Sequence, residues 1–440
     1  MISSLTLIDL PLRQKPQAYK ATTQDRINLN TLKQEELVHE QVVLPELVKQ
    51  ENIDVNEESS SENHQQFQNC AEQFDDSDSD MDGFEYTKND NVFVTCRSAE
   101  LGYVDVMVFN RRGDFFLHHN YQLHYLPLSS VPVGFNPYTK ETGNFVAISG
   151  TTNEIELFDL DVLDSIQPDL VLGGNKVVKN KKGKRVELQR PGSHNGSVLS
   201  LTWSKLHPNI LVSAGEDTIK VWDLSTQKLV SNIESHDGVV SQVRFHAEIS
   251  QIMLSCGLSD RKIIIHNFAN DTHTVIYTSD VDFEQCEWYG NSVIFTTEDG
   301  KIGIVNVEKC ELVSIFQCFQ EQKSKPLTAL AIHPSGNIVI VGSPEVKEVA
   351  ILLVKDGQFQ LHSLHQTGQV FSALFMPGYD SYACTLGHEN GNISLFQVYS
   401  RIGVENISSF VDKPEMFMEM KDLKVFVEQD DNDDNDNVEQ

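Results

Sequence analysis

Residues 197–223 read SVLSLTWSKLHPNILVSAGEDTIKVWD, and this stretch decides the fold. It contains an alternating apolar strand, a second short apolar strand, and a third strand that ends at Trp222 and Asp223. Alternation of apolar and polar residues is the pattern of a half-buried β-strand. The same outline recurs more faintly six more times, and a repeat of about 40 to 50 residues predicts a ring or array of small, similar sheets.

The recurrences can be followed through the first and third strands of each repeat. Third strands are predicted to end, at spacings of 39 to 64 residues, at Phe109, Phe158, Trp222, His266, Val305, Leu352 and Phe396. First strands are predicted within residues 127–137, 197–203, 239–246, 282–288, 326–334 and 369–377. The alternative is a β-sandwich with evenly spaced strands, but sandwiches do not repeat one outline seven times.

The stretch 197–223, taken with the residues just before it, resembles a blade of the WD40 family. His194, Ser213, Asp217 and Trp222 match the hydrogen-bonded tetrad of that family. The resemblance implies that Asp217 accepts from the His194 ring, that His194 accepts from Ser213, and that the Trp222 indole donates into the network. A buried carboxylate is tolerated when its lone pairs are filled in this way. The sequence therefore predicts an all-β fold, a seven-bladed WD40-type β-propeller with disordered acidic N- and C-terminal tails.

A partial tetrad is expected in the next blade. His236, Ser255 and Asp260 fit the pattern, with His266 where the tryptophan would stand. A His/Ser/Asp trio is also the composition of a catalytic triad. Because the complete set sits inside a strand repeat beside a tryptophan donor, we interpret it as structural and predict that the protein is not an enzyme.

No metal site or cofactor is predicted. His118, His119 and His124 fall in one expected strand, where adjacent residues face opposite ways. The seven cysteines are scattered, without a CxxC pair or the His/Cys spacing of zinc sites. Free buried thiols are typical of a reducing compartment, and no apolar run reaches the roughly 18 residues of a membrane helix. We therefore expect a soluble, intracellular protein.

The net charge of −30 is concentrated outside the repeat. Residues 46–90 hold 14 acidic and 2 basic side chains, and residues 412–440 hold 11 and 3. Such segments bury too little apolar surface to become ordered. We predict an acidic, largely disordered arm over residues 1–90, the propeller over 91–408 and an acidic tail over 409–440. Both Ile2–Ile8 and the segment after Ser400 are candidates for the strand that closes the ring.

Two local features are expected in the N-terminal arm. Residues 31–44 are predicted to form a short helix, which Thr31 would cap, Gln34 would support in a capping box and Pro45 would end. Ser77 and Ser79 each have an acidic residue three positions later. This spacing suits an acidophilic kinase, and we predict that both serines are phosphorylated.

A basic insertion, residues 175–192, interrupts the acidic chain between the second and third blades. It holds one anion, Glu187, and seven cations: Lys176, Lys179, Lys181, Lys182, Lys184, Arg185 and Arg190. Three interpretations stay open: it binds nucleic-acid phosphates, it is a nuclear localisation signal, or it is a spacer that folds onto the acidic tails. It has no aromatic residue for base stacking, so any RNA contact would be to the backbone.

The order of these parts resembles the periodic tryptophan protein 1 family. The resemblance is carried by an acidic arm, by VFVTCRSAELGYVDVMVFNRRGDFFLHHNYQL (92–123), by GNFVAISGTTNEIELFDLDVLDSIQPDLVLGG (143–174) with its lysine-rich continuation, and by the blade that follows. The opening MISSLTLIDLP is also similar, although Leu7 stands where that family usually has tryptophan.

The resemblance implies a nucleolar factor in ribosome biogenesis that acts in large-subunit assembly and ribosomal RNA production. The expected partners are pre-ribosomal proteins and the backbone of precursor large-subunit ribosomal RNA, with the chain a monomer inside a large complex. Two other functions stay open: a histone-binding regulator of ribosomal RNA genes, and a substrate adaptor of a ubiquitin ligase.

Overall fold

The computed structural model describes residues 1–8, 90–110, 115–163, 165–179, 185–216, 218–319, 325–376, 383–402 and 423–425, together with Leu10, Leu12, Gln17, Ala18 and Tyr86. The acidic segments 46–85 and 430–440, the expected helix 31–44 and the serines Ser77 and Ser79 lie outside these residues.

The described strands are numbered in chain order. The first half of the chain contains β1 Ile2–Ile8, β2 Gln17–Ala18, β3 Asn91–Ser98, β4 Gly102–Phe109, β5 Phe115–Leu123, β6 Pro127–Phe135, β7 Thr142–Gly150, β8 Glu154–Asp159, β9 Val162–Leu163, β10 Leu170–Gly173, β11 Asn175–Lys179, β12 Arg185–Gln189, β13 Val198–Trp203, β14 Ile210–Gly215, β15 Ile219–Asp223 and β16 Lys228–Ile233. The second half contains β17 Val240–Phe245, β18 Ile252–Gly257, β19 Lys262–Asn267, β20 Thr272–Thr278, β21 Phe283–Tyr289, β22 Ser292–Thr297, β23 Lys301–Asn306, β24 Glu311–Gln317, β25 Ala329–Ile332, β26 Ile338–Gly342, β27 Glu348–Lys355, β28 Gln358–Gln366, β29 Val370–Phe375, β30 Ala383–His388, β31 Ile393–Gln397 and β32 Leu423–Val425.

Seven four-stranded antiparallel sheets form the blades of a propeller. From the axis outward they are β1-β3-β4-β5, β6-β7-β8-β10, β13-β14-β15-β16, β17-β18-β19-β20, β21-β22-β23-β24, β25-β26-β27-β28 and β29-β30-β31-β32. Each inner strand contacts the inner strand of the next blade, and β29 contacts β1. The predicted seven-bladed propeller is confirmed, and all seven predicted third-strand ends lie in the third strand of a blade.

The chain closes the ring by packing blade seven against blade one. Strand β1 is the inner strand of the first blade, and β32 is the outer strand of the seventh. The two segments that the sequence suggested for ring closure, Ile2–Ile8 and the segment after Ser400, therefore both supply strands. The propeller extends beyond its predicted limits, residues 91 and 408, at both ends. Because β1 and β3 pair with each other, residues 9–90 form the connection between the first two strands of blade one.

The two faces of the ring differ in the connections they carry. We call upper the face that holds the turns between second and third strands and the connections between blades, and lower the opposite face. Residues 9–90 leave and rejoin the ring on the lower face, where β2 pairs with β9 of blade two. The described residues include one helix, α1 Tyr399–Ile402, which has four residues. It is too short to cross a bilayer.

The apolar cores lie between neighbouring blades. One cluster joins blades two and three through Leu157, Leu211 and Trp222. Another joins blade one to blade seven, where the fully buried Ile2 packs with Phe93, Met107, Ile393 and Leu395. Burial of apolar surface is the main stabilising term, so a blade of this protein depends on its two neighbours for most of its stability.

Hydrogen bonds from side chains to the backbone of the next blade cross every junction of the ring. In each pair one atom is a side-chain atom and the other a backbone atom of the neighbouring blade. With the donor first, the pairs are Thr6 Oγ1 and Ser130 O (2.8 Å), Leu201 N and Ser129 Oγ (3.1 Å), Val243 N and Ser200 Oγ (3.2 Å), Cys286 N and Gln242 Oε1 (2.5 Å), Thr296 Oγ1 and Leu327 O (2.8 Å), Thr328 Oγ1 and Val370 O (3.5 Å), and Ser372 Oγ and Ile2 O (3.2 Å). Each is worth about 1 kcal/mol net.

A recurring β-bulge supports this arrangement. In six of the seven inner strands the register shifts after the first paired residue. The first paired residue after the shift is polar in each of them: Ser4, Ser129, Ser200, Gln242, Gln285 and Ser372. A bulge re-aims side chains relative to the ladder, and four of these six residues make the inter-blade bonds described above.

The role of β1 predicts a specific loss of stability. Ile2→Ala leaves a cavity at the junction of blades one and seven, so we expect a loss of about 2–5 kcal/mol in the free energy of unfolding. The matched variant Ile249→Ala alters an isoleucine that is 46% exposed, and its effect should stay within about 0.5 kcal/mol. Urea unfolding of both variants measures the difference, and equal losses would contradict the assignment of β1 to the ring.

Candidate functional site

The basic insertion forms a β-hairpin on the upper face. Strands β11 and β12 pair antiparallel, with Lys179 opposite Arg185 as the last described pair of the ladder. The hairpin follows β10, the outer strand of blade two, and precedes β13, the inner strand of blade three. It is thus an enlarged connection between two blades, and the ring holds both of its ends.

Polar contacts fix the base of the hairpin. The Arg190 guanidinium donates to the carbonyl oxygens of Val171 (3.3 Å) and Gly173 (3.4 Å). Gln189 Nε2 donates to His194 O at 2.7 Å, and the Ser193 hydroxyl lies within hydrogen-bond distance of Gly174 O and Arg190 O. The backbone of Gly173 and Gly174 has φ values of 71° and 74°, a conformation that favours glycine.

The predicted cations therefore have different surroundings. Lys176 is exposed on β11, whereas Arg190 is half-buried and its guanidinium is occupied by backbone carbonyls. Lys179 and Arg185 are paired by register on the two strands. Lys181, Lys182 and Lys184 fall in residues 180–184, outside the described residues. Arg190 thus has a structural role that its inclusion among the predicted phosphate-binding residues did not anticipate.

The blade-three network contains three of the four predicted members of the tetrad. Ser213 Oγ lies 2.8 Å from His194 Nε2 and accepts the Trp222 indole N–H at 2.8 Å. Asp217 lies outside the described residues. His194 and Ser213 are fully buried, so a substrate could not reach this hydroxyl. The network joins the entry to blade three with its second and third strands, which is a structural role.

In blade four, histidine takes the place of the tryptophan in a chain of side-chain hydrogen bonds. His236 Nδ1 contacts Asp260 Oδ2 at 3.0 Å, and its Nε2 contacts Ser255 Oγ at 2.6 Å. Ser255 Oγ continues to His266 Nε2 at 2.6 Å, and His266 Nδ1 continues to His273 Nδ1 at 2.8 Å. The expected partial tetrad is therefore assembled, and His266 takes the tryptophan position.

Burial keeps two of the ring's histidines neutral. Desolvation, with smaller repulsion from His273 and His236, lowers the pKa of His266 to about 3. Desolvation, with repulsion from His118, likewise lowers the pKa of His119 to about 3. Both histidines bind a proton far more weakly in the folded protein than in the unfolded chain, where a histidine pKa is about 6.5.

The adjacent histidines of β5 do not point to opposite sides, and that part of the sequence argument was wrong. Val106 pairs with His119 and Met107 pairs with Leu117, so His118 is the extra residue of a β-bulge. The two Nδ1 atoms consequently lie 2.7 Å apart. The chain of contacts continues from His119 Nε2 to Tyr121 Oη at 2.9 Å. His124 lies beyond the end of this strand, on the connection to blade two.

The fold and the described part of the tetrad are those of a WD40-type β-propeller. The family model described as WD domain, G-beta repeat matches residues 186–223. A solved structure, the WD40 beta propeller domain of Doa1, superposes with a TM-score of 0.52 at 15% identity over 72% of this chain and 93% of that one. The structure of U3-55K superposes with a TM-score of 0.51 at 11% identity, covering 68% and 84%. These two likenesses concern the fold alone.

Three proteins are similar to this chain in sequence. The periodic tryptophan protein 1 homolog of Drosophila melanogaster is 23% identical over 297 residues, which are 62% of this chain and 62% of that protein. Periodic tryptophan protein 1 of Saccharomyces cerevisiae is 27% identical over 237 residues, 50% of this chain and 39% of that one. An uncharacterized WD repeat-containing protein of Schizosaccharomyces pombe is 32% identical over 148 residues, 32% of this chain and 29% of that one.

The resemblance to the periodic tryptophan protein 1 family is thereby confirmed. The matched regions span between 29% and 62% of the length of these curated relatives.

The neutral state of His266 predicts an acid-dependent loss of stability. The folded-state pKa lies below the unfolded value, so only the unfolded chain gains the proton as the pH falls below about 6.5. Stability from this group is therefore complete above pH 6.5 and decreases toward pH 3. His266→Gln removes that titration, and its loss of stability between pH 7 and pH 5 should be about 2 kcal/mol smaller than that of the wild type.

Urea unfolding at the two pH values measures this difference. The control is Val275→Gln, which alters an exposed residue of the same blade that does not titrate and should keep the wild-type pH dependence. A His266→Gln protein with the same pH dependence as the control would show that His266 is protonated in the fold.

Proposed function

We propose that the protein is a non-enzymatic WD40 scaffold that acts in the nucleolus, in assembly of the large ribosomal subunit and processing of its RNA. In this proposal the β11–β12 hairpin contacts the backbone of precursor ribosomal RNA. The observation that carries it is a cationic hairpin whose base is bonded to the ring. The resemblance to the periodic tryptophan protein 1 family implies the pathway, and the WD40 fold supports a scaffold rather than an enzyme.

The chemistry of the hairpin favours phosphate as its ligand. Its cations stand on a chain with a net charge of −30, so the hairpin is a local exception in an acidic field. Lysine and arginine bind phosphates with little regard to base sequence, and residues 175–192 include no aromatic side chain for stacking on bases. The hairpin would therefore anchor the scaffold to RNA while other partners determine where on the RNA it binds.

Exposed acidic side chains on part of the upper face suit basic partners. The connections and turns of blades three to five expose Glu216, Asp237 and Asp280. A rigid ring that displays such loops holds several partners in fixed relative positions. Basic ribosomal proteins fit this surface, and so do histone tails, which is why a chromatin-bound regulator is the second candidate function.

The hairpin lysines should dominate RNA affinity. For four or five phosphate contacts, log affinity falls with log salt at a slope of about −3 to −4. Replacing Lys181, Lys182 and Lys184 by Ser should reduce the magnitude of that slope by about 2, because three contacts are lost. Fluorescence anisotropy with a labelled ribosomal RNA fragment at several salt concentrations gives both slopes.

The matched control removes the same charge from the lower face. Lys228, Lys309 and Lys355 are exposed at turns between third and fourth strands, and their replacement by Ser should leave the slope near the wild-type value. If both triple variants change the slope equally, RNA binding is a general property of the chain's lysines and not of the hairpin.

Sedimentation of cell extract separates the candidate functions. The tagged wild-type protein should migrate with precursor large subunits, and the hairpin triple variant should shift toward free protein because its anchor is weakened. Nuclease-resistant association with histones would contradict the ribosomal proposal and favour the chromatin function. Co-purification of ubiquitin-ligase subunits without ribosomal RNA would favour an adaptor.

A further inference from the structure

A cluster of possible metal ligands lies on the upper face where blade one joins blade two. His124 belongs to the short connection between β5 and β6, and Glu154 and Glu156 are alternate residues of β8. Alternate residues of a strand share one face, and Glu154 Oε1 lies 3.0 Å from His124 Nε2. One ligand atom from each of the three side chains lies within 4.8 Å of the other two. We call this set the His124–Glu154–Glu156 cluster.

Glu156 is the member that requires an explanation. It is only 4% exposed, although it is a carboxylic acid beside a second one. Its Oε2 accepts the hydroxyl of Tyr125 at 3.1 Å, and among the described residues no hydrogen bond reaches its Oε1. Holding a carboxylate at a position this buried is costly, and two carboxylates this close repel each other. A bound cation would remove both costs.

We propose that the His124–Glu154–Glu156 cluster binds a divalent transition-metal ion of the Zn²⁺ class. One imidazole nitrogen and two carboxylate oxygens are a ligand set that zinc accepts. Calcium and magnesium prefer oxygen ligands alone, and imidazole is a ligand of zinc, copper, iron and nickel. Tyr125 would act as the outer partner that orients a ligating carboxylate, an arrangement common around protein-bound metals.

The exposure of the three side chains indicates the form of the site. The His124 side chain is 67% exposed and that of Glu154 is 18% exposed, so the ion would enter from solvent and keep water on its outer side. With three protein ligands, the site resembles an open zinc site rather than a closed structural one. The ion would link two blades through residues 30 positions apart and would stiffen their junction.

Competition with a chromophoric chelator tests the proposal. The chelator-stripped full chain should bind one equivalent of Zn²⁺, added as the only metal, and its melting temperature should rise with Zn²⁺ concentration. His124→Ala and Glu156→Gln should each weaken Zn²⁺ binding more than tenfold, and Tyr125→Phe should weaken it by about tenfold. A hundredfold excess of Mg²⁺ should not displace the ion.

Two controls keep the result interpretable. His207→Ala alters an exposed histidine of the lower face and should bind Zn²⁺ as the wild type does. Circular dichroism shows whether Glu156→Gln is folded, and His124→Ala, which changes an exposed side chain, provides the test if it is not. Wild-type affinity in His124→Ala, absence of saturable Zn²⁺ binding, or displacement by Mg²⁺ would overturn the proposal.

Discussion

The closed ring depends on hydrogen bonds that pass from the side chains of one blade to the backbone of the next. Each of the seven junctions has at least one, and the last joins Ser372 Oγ to Ile2 O. A blade alone is a four-stranded sheet with both faces apolar, which is not stable in water. Apolar packing brings the blades together, and these directional bonds join particular residues of neighbouring blades.

In a ring built in this way, the groups that are available to bind partners lie on the segments that project from it. The inner three strands of each blade are occupied with packing and pairing. The networks of blades three and four join these strands to neighbouring segments through Ser213 and Ser255, which are fully buried. The upper face carries the cationic hairpin, the exposed acidic loops and the His124–Glu154–Glu156 cluster. The acidic residues 46–85 belong to the connection between β1 and β3, which begins and ends on the lower face. The two ends of this connection therefore lie on the face opposite to the hairpin.

Regular features of the ring were predictable because they are local. The third-strand ends, from Phe109 to Phe396, follow from alternation and turn residues within a few positions of each other. The contacts of Ser213 with His194 and Trp222 were predictable because these residues occur at family spacings. The hairpin itself was not foreseen, since its cations indicated a surface loop without showing that β11 and β12 pair.

Other features depend on contacts that no local pattern records. Strand β1 reaches its place only through pairing with β3, about eighty residues later, and through packing against blade seven. The bulge at His118 reverses the expected orientation of one histidine, because a single extra residue changes the side of the strand that a side chain occupies. The cluster of His124 with Glu154 joins residues from two blades, although the alternate glutamates of β8 could have suggested one half of it.

Amide hydrogen exchange of the full chain, followed by mass spectrometry, tests ring closure most directly. If β1 is an inner strand that pairs with β3 and packs between the inner strands of blades seven and two, the peptide covering residues 1–8 should exchange as slowly as the peptides of β13 and β17, since all three open only when the ring opens. Exchange of residues 1–8 within seconds, while β13 and β17 stay protected, would contradict the account and leave blade one without its inner strand.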